Sequence, residues 1–172
     1  SLPGTSKAIL EAARTHNLRI VRILLTHAHT DHVGSVDALH EALPQAEVLI
    51  TSRDARFLRG DKTLDPDEPK DTLRGSYPII KTRPTRAIEE GDQVGSLLVV
   101  SSPGHTPGHA AFLDTRDNAL IAGDAFQTLG GIAVSGKLKP LFPLPALATW
   151  HKPTALASAR KLSALQPSRL AV

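Results

Sequence analysis

The chain has 172 residues, of which 41% are hydrophobic and 22% are charged, and its formal net charge is +3 at pH 7. This composition is typical of an ordinary globular protein, and the length predicts a single domain over residues 1–172 with a sizeable core. The chain has no cysteine, which excludes disulfides and thiolate ligands, so any metal must be held by histidine and carboxylate side chains.

Membrane attachment and nucleic-acid binding are disfavoured by the distribution of apolar and charged residues. No apolar run approaches about 18 residues and no signal peptide pattern is evident, so we expect no membrane span and, by default, a cytoplasmic location. The basic residues are mixed with acidic ones and are not interleaved with aromatics, which makes nucleic-acid binding the minority interpretation. We expect a small-molecule substrate, and no feature indicates an oligomeric state.

The first part of the chain alternates predicted helices and strands. A helix capped by Thr5 or Ser6 is predicted through about Thr15, and a strand follows over 19–25. A second helix over 33–43 is ended by Pro44, because proline cannot continue a helix. A second strand is predicted over 46–50. This alternation predicts parallel pairing of the two strands through a right-handed crossover.

A short helix and a long loop follow the second predicted strand. Ser52 or Asp54 is the predicted cap of a helix that ends near Leu58. Residues 60–78 are polar and contain proline, which predicts a surface loop. Long loops in compact domains are often lids or binding elements, and a mobile loop without function is the alternative interpretation.

The second half of the chain has the pattern of a mostly antiparallel sheet. Short strands are predicted near 79–81, 85–88, 96–101, 109–114 and 119–122, with turn residues between them.

The last part of the chain is predicted from composition and helical spacing. Residues 124–145 are rich in glycine and proline and give no clear element, whereas 153–165 predicts a helix and 169–172 a final strand. Apolar side chains are dense from 126 onwards: Phe126, Leu129, Leu141, Phe142, Leu144, Leu147 and Trp150. These side chains either line a mouth for an uncharged or acyl substrate or simply cover the sheet.

Ligand-type side chains follow the first predicted strand in a dense cluster. His27, His29, Asp31 and His32 lie within six residues of one another. Imidazole nitrogen and carboxylate oxygen are the ligands that zinc, iron and manganese accept. A strand that ends in such residues is where an α/β protein commonly places its chemistry. A metal site is therefore favoured over a loop of hydrogen-bonding histidines.

Two further clusters follow later predicted strands. Ser102 to His109 reads Ser-Pro-Gly-His-Thr-Pro-Gly-His, with His105 at its centre, and Leu120 to Phe126 contains Gly123-Asp124. His105 or Asp124 alone would be interpreted as a loop residue that only makes hydrogen bonds. Three strand-end clusters in one chain instead predict one shared site.

These three motifs, in this order and spacing, resemble those of the metallo-β-lactamase superfamily. The resemblance covers essentially the whole chain and does not distinguish glyoxalase II-like from lactonase-like branches. It implies an α/β fold, a four-layer αββα sandwich, with a metal pair at one edge of its two sheets. The implied ligands of the first ion are His27, His29 and His105. Asp31 and His32 are implied for the second ion, Asp124 bridges the two, and His109 supports the site without binding metal.

The resemblance also implies a chemistry. Three neutral imidazoles leave a zinc ion one open position for water, and the ion lowers the pKa of that water from about 16 to about 7. Asp31 is the expected catalytic residue, orienting or deprotonating the water where a second ion is absent. No serine or cysteine nucleophile is evident, and Ser35 and Ser102 are predicted to be cap or turn residues. We therefore expect a zinc-dependent hydrolase of an ester, thioester, lactone or amide.

Two alternatives remain open from the sequence. Iron or manganese can replace zinc, and one alternative is an iron-dependent dioxygenase of the same fold. His29 stands where the flavin-linked diiron members usually carry a carboxylate, which argues against that branch but not against a mononuclear dioxygenase. The other alternative is a metal-binding module without catalysis.

The chain departs from the family pattern at its ends. It contains no methionine and runs from Ser1 to Val172, so we expect that the N-terminal strands and the segment after the last strand are missing. The family's last ligand is a glycine-flanked histidine after the final strand, and we expect it beyond Val172. His151 does not match that position.

Overall fold

The computed structural model describes residues 1–140 and 143–172. Its α-helices are α1 (Ser6–Thr15), α2 (Thr30–Val33), α3 (Val36–Ala42), α4 (Ser52–Ala55), α5 (Leu144–Ala148) and α6 (Lys152–Ala164). Its strands are β1 (Arg22–Leu24), β2 (Glu47–Thr51), β3 (Arg86–Ile88), β4 (Gln93–Val94), β5 (Leu97–Ser101), β6 (Ala110–Asp114), β7 (Ala119–Ile121), β8 (Phe126–Gln127), β9 (Ala133–Val134) and β10 (Arg169–Ala171). Single turns of 3-10 helix cover Phe57–Arg59 and Gly123–Ala125. None of the described helices has the length and apolar character needed to cross a bilayer.

The first sheet is built from β1, β2 and β3, all parallel. In β2, four consecutive residues are buried, as in a parallel strand that is covered on both faces. Ile23 lies opposite Val48, and Ile50 lies opposite Ala87. The predicted parallel pairing of the first two strands is confirmed.

The second sheet has the strand order β10-β7-β6-β5-β4. Its β4 to β7 pairs are antiparallel, whereas β10 is parallel to β7. The β8–β9 hairpin forms a separate two-stranded sheet. The predicted antiparallel character of the second half is thus confirmed for β4 to β7.

Alternation along the strands sorts the core into three clusters, because successive strand side chains point to opposite faces. In β2, Val48 and Ile50 pack with the residues of α1 and α3, while Leu49 packs between the two sheets. In the second sheet, Phe112 joins Leu49 between the sheets, and Leu120 packs on the other face. Each fully buried side chain of this size stabilises the fold by about 1.5–3 kcal/mol.

Helix α6 covers the outer face of the second sheet. Leu162 is fully buried there and packs in one cluster with Ala111 and Leu120. The layers therefore run helices, first sheet, second sheet, helix. This is the predicted four-layer αββα sandwich, and the fold class is confirmed.

Several sequence predictions of elements were wrong. The helix predicted over 33–43 starts later, as α3 at Val36, because Val33 ends the separate short helix α2. No strand forms at 79–81, where Ile80 makes a single backbone bond to Leu58. β3 belongs to the first, parallel sheet. Neither Ser52 nor Asp54 caps α4, because the Thr51 hydroxyl accepts the N–H of Asp54.

The loop predicted over 60–78 does not lie only on the surface. Its start is held by ion pairs from Arg53 and Arg56 to three acidic residues: Asp61, Asp65 and Glu68. Its end turns inwards, where Tyr77 is buried against Phe57 and His29. The loop thus reaches the edge of the sheets where the predicted site residues lie.

Candidate metal centre

The three predicted clusters meet at one edge of the two sheets. Residues 26–32 follow β1 in the first sheet, whereas 102–109 join β5 to β6 and 122–125 follow β7 in the second. The N–H of Ala110 donates to the carbonyl of Thr26 at 2.9 Å, which ties the two sheets together at this point. The topology thus explains how residues almost 100 positions apart share one site.

One set of ligand-type atoms comes from His27, His29 and His105. One nitrogen from each ring lies within 4.8 Å of the others, and all three residues are buried. Nδ1 of His29 lies 3.0 Å from Nε2 of His105. Nε2 of His27 is buried and has no hydrogen-bond partner among the residues that the structure describes.

A second set of ligand-type atoms adjoins the first. His27, His32 and Asp124 also offer atoms within 4.8 Å of one another. Nε2 of His32 lies 3.1 Å from Oδ1 of Asp124, whereas Oδ2 of Asp124 lies 3.2 Å from Nε2 of His105. Asp31 stands beside this set, with its Oδ2 3.6 Å from His32 and its side chain 55% exposed. His27 thus belongs to both sets, and Asp124 directs one oxygen towards each of them.

The outward nitrogen of each buried imidazole has a polar partner. Nδ1 of His27 lies 3.0 Å from the Thr26 hydroxyl, and Nε2 of His29 lies 3.0 Å from the carbonyl oxygen of Arg74. A carbonyl only accepts, so His29 must carry its proton on Nε2, and the inward Nδ1 keeps a free lone pair. Partners of this kind fix the tautomer of metal-binding histidines.

A chain of hydroxyl groups orients His105. The Thr149 hydroxyl donates to the carbonyl of Pro145 at 2.6 Å, so it accepts the bond from Ser135 at 2.8 Å. The Ser135 hydroxyl then accepts from Nδ1 of His105 at 2.9 Å. The proton of His105 is therefore held on Nδ1, which leaves the lone pair of Nε2 facing the site.

Burial keeps His27 and His29 neutral. The pKa of His27 is held well below its usual value, first by burial and then by the neighbouring histidines. Burial and the nearby His105 likewise lower the pKa of His29 to about 3. For Asp124, burial alone would raise the pKa, but the neighbouring imidazoles of His105 and His32 outweigh it and hold the pKa below its usual value. Neutral imidazoles beside an ionised carboxylate are the forms that bind metal.

His109 has both ring nitrogens occupied. Its Nε2 accepts the N–H of Asp124 at 3.1 Å, so its Nδ1 carries the proton and donates to the Ser102 hydroxyl at 2.9 Å. Burial, followed by the neighbouring His105, lowers its pKa to about 3. The structure therefore places His109 behind Asp124, with its hydrogen bonds already made.

Glycine at positions 75 and 123 allows two close approaches. Both glycines have positive φ, +81° and +50° respectively, a region that favours glycine. A Cβ on Gly75 would lie 2.4 Å from Nε2 of His29, and one on Gly123 would lie 2.9 Å from Nε2 of His109. Any side chain at either position would displace an imidazole.

The residues present fit a metal ion. A buried imidazole nitrogen without a partner, as in His27, is costly unless something else binds its lone pair. Zn–N bonds of about 2.0–2.1 Å place nitrogens of a tetrahedral site about 3.3–3.4 Å apart. The 3.0 Å separation between His29 and His105 is close to that value, and two facing lone pairs repel each other unless a cation or a proton lies between them.

Sequence reasoning missed the residues that hold the histidines in place. Ser135 and Thr149 reach His105 from 30 and 44 residues away, and no spacing signal marks them. Ser102 was predicted to be a turn or cap residue, whereas its hydroxyl bonds to His109. Ser35 stands at the N-cap position of α3, but its hydroxyl donates to the carbonyl of Leu2 and not to the helix. His151 caps α6.

A cavity of about 290 Å³ opens beside the histidines. It is lined by Asp31 and Asp124 on the polar side and by Phe126, Leu129 and Leu144 on the apolar side. Of the two interpretations of the apolar residues from position 126 onwards, lining a mouth thus applies to these three side chains.

The other apolar side chains that the sequence singled out lie elsewhere. Leu147 is exposed, and Trp150 is buried with its indole N–H donated to the carbonyl of Asp71. Leu141 and Phe142 lie outside the described residues.

Comparison with curated proteins finds close relatives of the chain. The uncharacterized protein YobT of Bacillus subtilis (strain 168) is 50% identical over 173 residues, which cover 100% of this chain and 74% of that protein. A hydroxyacylglutathione hydrolase of Vibrio campbellii is 33% identical over 132 residues, which cover 74% of this chain. This chain spans only 42% of the length of that hydrolase.

Solved structures show the same fold. TTHA1623 in a di-iron-bound form is 29% identical, with a TM-score of 0.70 over 95% of this chain and 74% of that one. The B3 metallo-beta-lactamase BLEG-1 is 25% identical, with a TM-score of 0.63 over 91% of this chain and 69% of that one. The family model described as the metallo-beta-lactamase superfamily matches residues 1–172. Because this family model matches all 172 residues and YobT is 50% identical over the whole of this chain, the chain belongs to the metallo-β-lactamase superfamily.

Proposed function

We propose that this protein is a metal-dependent hydrolase that cleaves an ester, thioester, lactone or amide bond in a small molecule. The observation that carries the proposal is the convergence of three buried imidazoles, with Nε2 of His27 unpartnered, next to an open cavity. Nδ1 of His27 is already bonded to Thr26, so Nε2 is the nitrogen left for an ion.

The proposed ligands fall into the two sets described above. His27, His29 and His105 would hold one ion, and Asp31, His32 and Asp124 would complete a second site. The two oxygens of Asp124 face His105 and His32 separately, which supports a bridging role. Zinc is the proposed metal, and when bound such ions acidify water and stabilise negative charge on oxygen.

Asp31 is the proposed catalytic carboxylate. It is half exposed, lines the cavity and lies within reach of His32. An ionised carboxylate there can accept a proton from water or orient that water by accepting its hydrogen bond. The exposure of Asp31 also leaves room for it to move towards an ion and act as a ligand.

The Ser102–His109 pair does not support a serine nucleophile. A serine hydroxyl needs a base that takes its proton, but Nδ1 of His109 already carries a proton because Nε2 accepts the N–H of Asp124. Ser102 is also buried, with 1% of its surface exposed. Activation of water, without a covalent acyl-enzyme, therefore has the better support.

The cavity supports a substrate with an apolar group next to the scissile bond. Its apolar side is formed by Phe126, Leu129, Leu144 and Pro145, and burial of such surface contributes about 25 cal/mol per Å². The names of similar proteins include a hydroxyacylglutathione hydrolase, which suggests a thioester, and a B3 metallo-beta-lactamase, which suggests a cyclic amide. Both bond types fall within the proposed class.

Iron is the second candidate metal. The di-iron-bound form of TTHA1623, at 29% identity, is the observation that favours it. An iron site would support either hydrolysis or dioxygenase chemistry. Metal analysis of protein produced without added metal distinguishes zinc from iron.

The test combines metal depletion with a panel of substrates. Protein stripped by a chelator is assayed against nitrophenyl esters, acyl thioesters, lactones and a chromogenic β-lactam, before and after Zn²⁺ or Fe²⁺ is restored. We expect hydrolysis of at least one class that is lost on stripping and returns with metal. Hydrolysis that persists in the stripped protein, or no turnover of any class by the reconstituted protein, would contradict the proposal.

A further inference from the structure

Asp54 is a fully buried carboxylate that the proposed chemistry does not use. It accepts three hydrogen bonds: from the N–H of Ala28 at 2.9 Å, the hydroxyl of Thr106 at 2.8 Å and the N–H of Gly108 at 2.7 Å. Among the described residues it forms no ion pair. A buried charge costs several kcal/mol unless it is paired or hydrogen-bonded. The three donors therefore offset the cost of burying Asp54, and the question is what the buried carboxylate does for the segments that donate to it.

The donors come from both histidine loops. Ala28 lies between His27 and His29, in the loop that follows β1 of the first sheet. Thr106 and Gly108 lie between His105 and His109, in the loop between β5 and β6 of the second sheet. One carboxylate at the start of α4 therefore bonds to the backbone of both loops that carry the three buried imidazoles.

Neighbouring contacts make this arrangement rigid. The hydroxyl of Thr51, three residues before Asp54, donates to the carbonyl of Gly108 at 2.6 Å. A Cβ on Gly108 would lie 2.6 Å from both the backbone nitrogen and Oδ1 of Asp54. Only glycine lets the second loop approach this closely, so the distance between the loops is set at Asp54.

A carboxylate suits this position better than an amide. An ionised carboxylate only accepts and has about four lone-pair sites for its three donors. An asparagine in the same place would turn an NH₂ group towards at least one of the donors. Replacement of Asp54 by Asn therefore keeps the side-chain volume and disrupts at least one of the three bonds that link Asp54 to the two loops.

We propose that Asp54 is a positioning residue that sets the spacing of the two histidine loops and thereby the affinity and geometry of the metal site. This inference rests on the proposed function, because the imidazoles need this spacing only if they hold an ion. Residues that orient metal ligands through hydrogen bonds typically change metal affinity by about 10–100-fold when they are removed.

The test compares Asp54→Asn with the chemically identical change Asp114→Asn. Asp114 is also a buried carboxylate that accepts a backbone N–H and a guanidinium, both from Arg116. Asp114 is the last residue of β6, whereas the loop with His105 and His109 precedes the first residue of that strand. Asp114 therefore serves as a matched control. Zn²⁺ affinity is measured by competition with a chromogenic chelator, and Co²⁺ replaces zinc for absorption spectra.

We expect Asp54→Asn to weaken Zn²⁺ binding by about 10–100-fold and to change the visible Co²⁺ spectrum. Asp114→Asn should keep the wild-type affinity and spectrum even if its melting temperature falls. Wild-type affinity and spectrum in Asp54→Asn, or an equal loss in Asp114→Asn, would overturn the inference.

A more conservative variant, Thr106→Val, tests the same inference if Asp54→Asn fails to fold. Thr106→Val removes one donor with little change of shape and should shift affinity in the same direction by a smaller factor. An unchanged affinity in Thr106→Val would also overturn the inference. A wild-type protein that binds neither Zn²⁺ nor Co²⁺ contradicts the proposed function itself, whereas wild-type binding with unaffected variants contradicts only the role of Asp54.

Discussion

At the scale of single residues, hydrogen bonds on the outer side of each imidazole decide which nitrogen faces the site. The hydroxyl of Thr26 holds Nδ1 of His27, the carbonyl of Arg74 holds Nε2 of His29, and the hydroxyl of Ser135 holds Nδ1 of His105. The inward atoms are therefore Nε2, Nδ1 and Nε2 respectively. This pattern predicts which nitrogen of each ring would bind a metal ion, in addition to which residues would bind it.

Substitution of His105 and of His109 should have different effects on metal binding. His105→Ala deletes an inward nitrogen and should abolish binding at the first site and nearly all activity. His109→Ala removes a support behind Asp124, so it should retain most of the metal and lose about 10–100-fold in affinity or activity. Metal content by mass spectrometry checks the difference, and equal metal loss in both variants would mean that the two roles are wrongly assigned.

The burial of His109 predicts a pH dependence in the metal-free protein. Its pKa is about 3 in the folded state and about 6.5 in an unfolded chain. Because the folded pKa is lower, its contribution to stability is fully present above about pH 6.5 and is lost as the pH falls towards 3. Between pH 7 and pH 5 this loss amounts to about 2 kcal/mol.

The matched comparison is between wild type and His109→Gln, which keeps polar atoms but cannot titrate. Denaturant unfolding of both metal-free proteins at pH 7 and pH 5 should show a loss of free energy of unfolding about 2 kcal/mol larger in wild type. Parallel losses in the two proteins would show that His109 is not held neutral by burial.

The residues of the site differ in how far sequence could predict them. The spacing of His27, His29 and His32 marks a metal site by itself, since three ligand-type side chains so close together have few other uses. Asp54, Ser135 and Thr149 carry no such mark. They meet the histidines only because the fold brings distant segments together, and isolated aspartate, serine and threonine residues are common in loops and caps.

At the scale of elements, the sequence pattern located most strands of three or more residues, whereas the two-residue strands gave no signal. β2 and β5 are apolar over most of their length, and both were predicted within a residue or two. β8 and β9 have two residues each, which is too short for a periodic signal. The sheet to which β3 belongs was mistaken because sequence alternation does not reveal which neighbour a strand pairs with.

Helix α6 gives a test of the outer layer. Leu162 is fully buried against the second sheet, whereas Leu156 on the same helix is 43% exposed. Leu162→Ala should lower the free energy of unfolding by about 2–5 kcal/mol because it leaves a cavity, and Leu156→Ala should change it by less than about 0.5 kcal/mol. Denaturant titration measures both, and similar effects of the two substitutions would contradict the packing of α6.

At the scale of the whole molecule, the two sheets bring the site together. The first sheet supplies the loop with His27 and His29, and the second supplies His105 and Asp124. Neither sheet alone carries His27, His29 and His105 together, so the candidate centre depends on the packing of Leu49 against Phe112 between the sheets. The four-layer fold and the edge location followed from the resemblance, whereas the support from α4 and from Ser135 and Thr149 required the structure.

The most direct measurement is anomalous X-ray scattering at the zinc edge from crystals grown with Zn²⁺. We expect a peak within bonding distance, about 2.0–2.1 Å, of Nε2 of His27, Nδ1 of His29 and Nε2 of His105, with His109 not coordinated. Absence of a peak among these three atoms, or coordination through Nδ1 of His27 or through His109, would contradict this expectation.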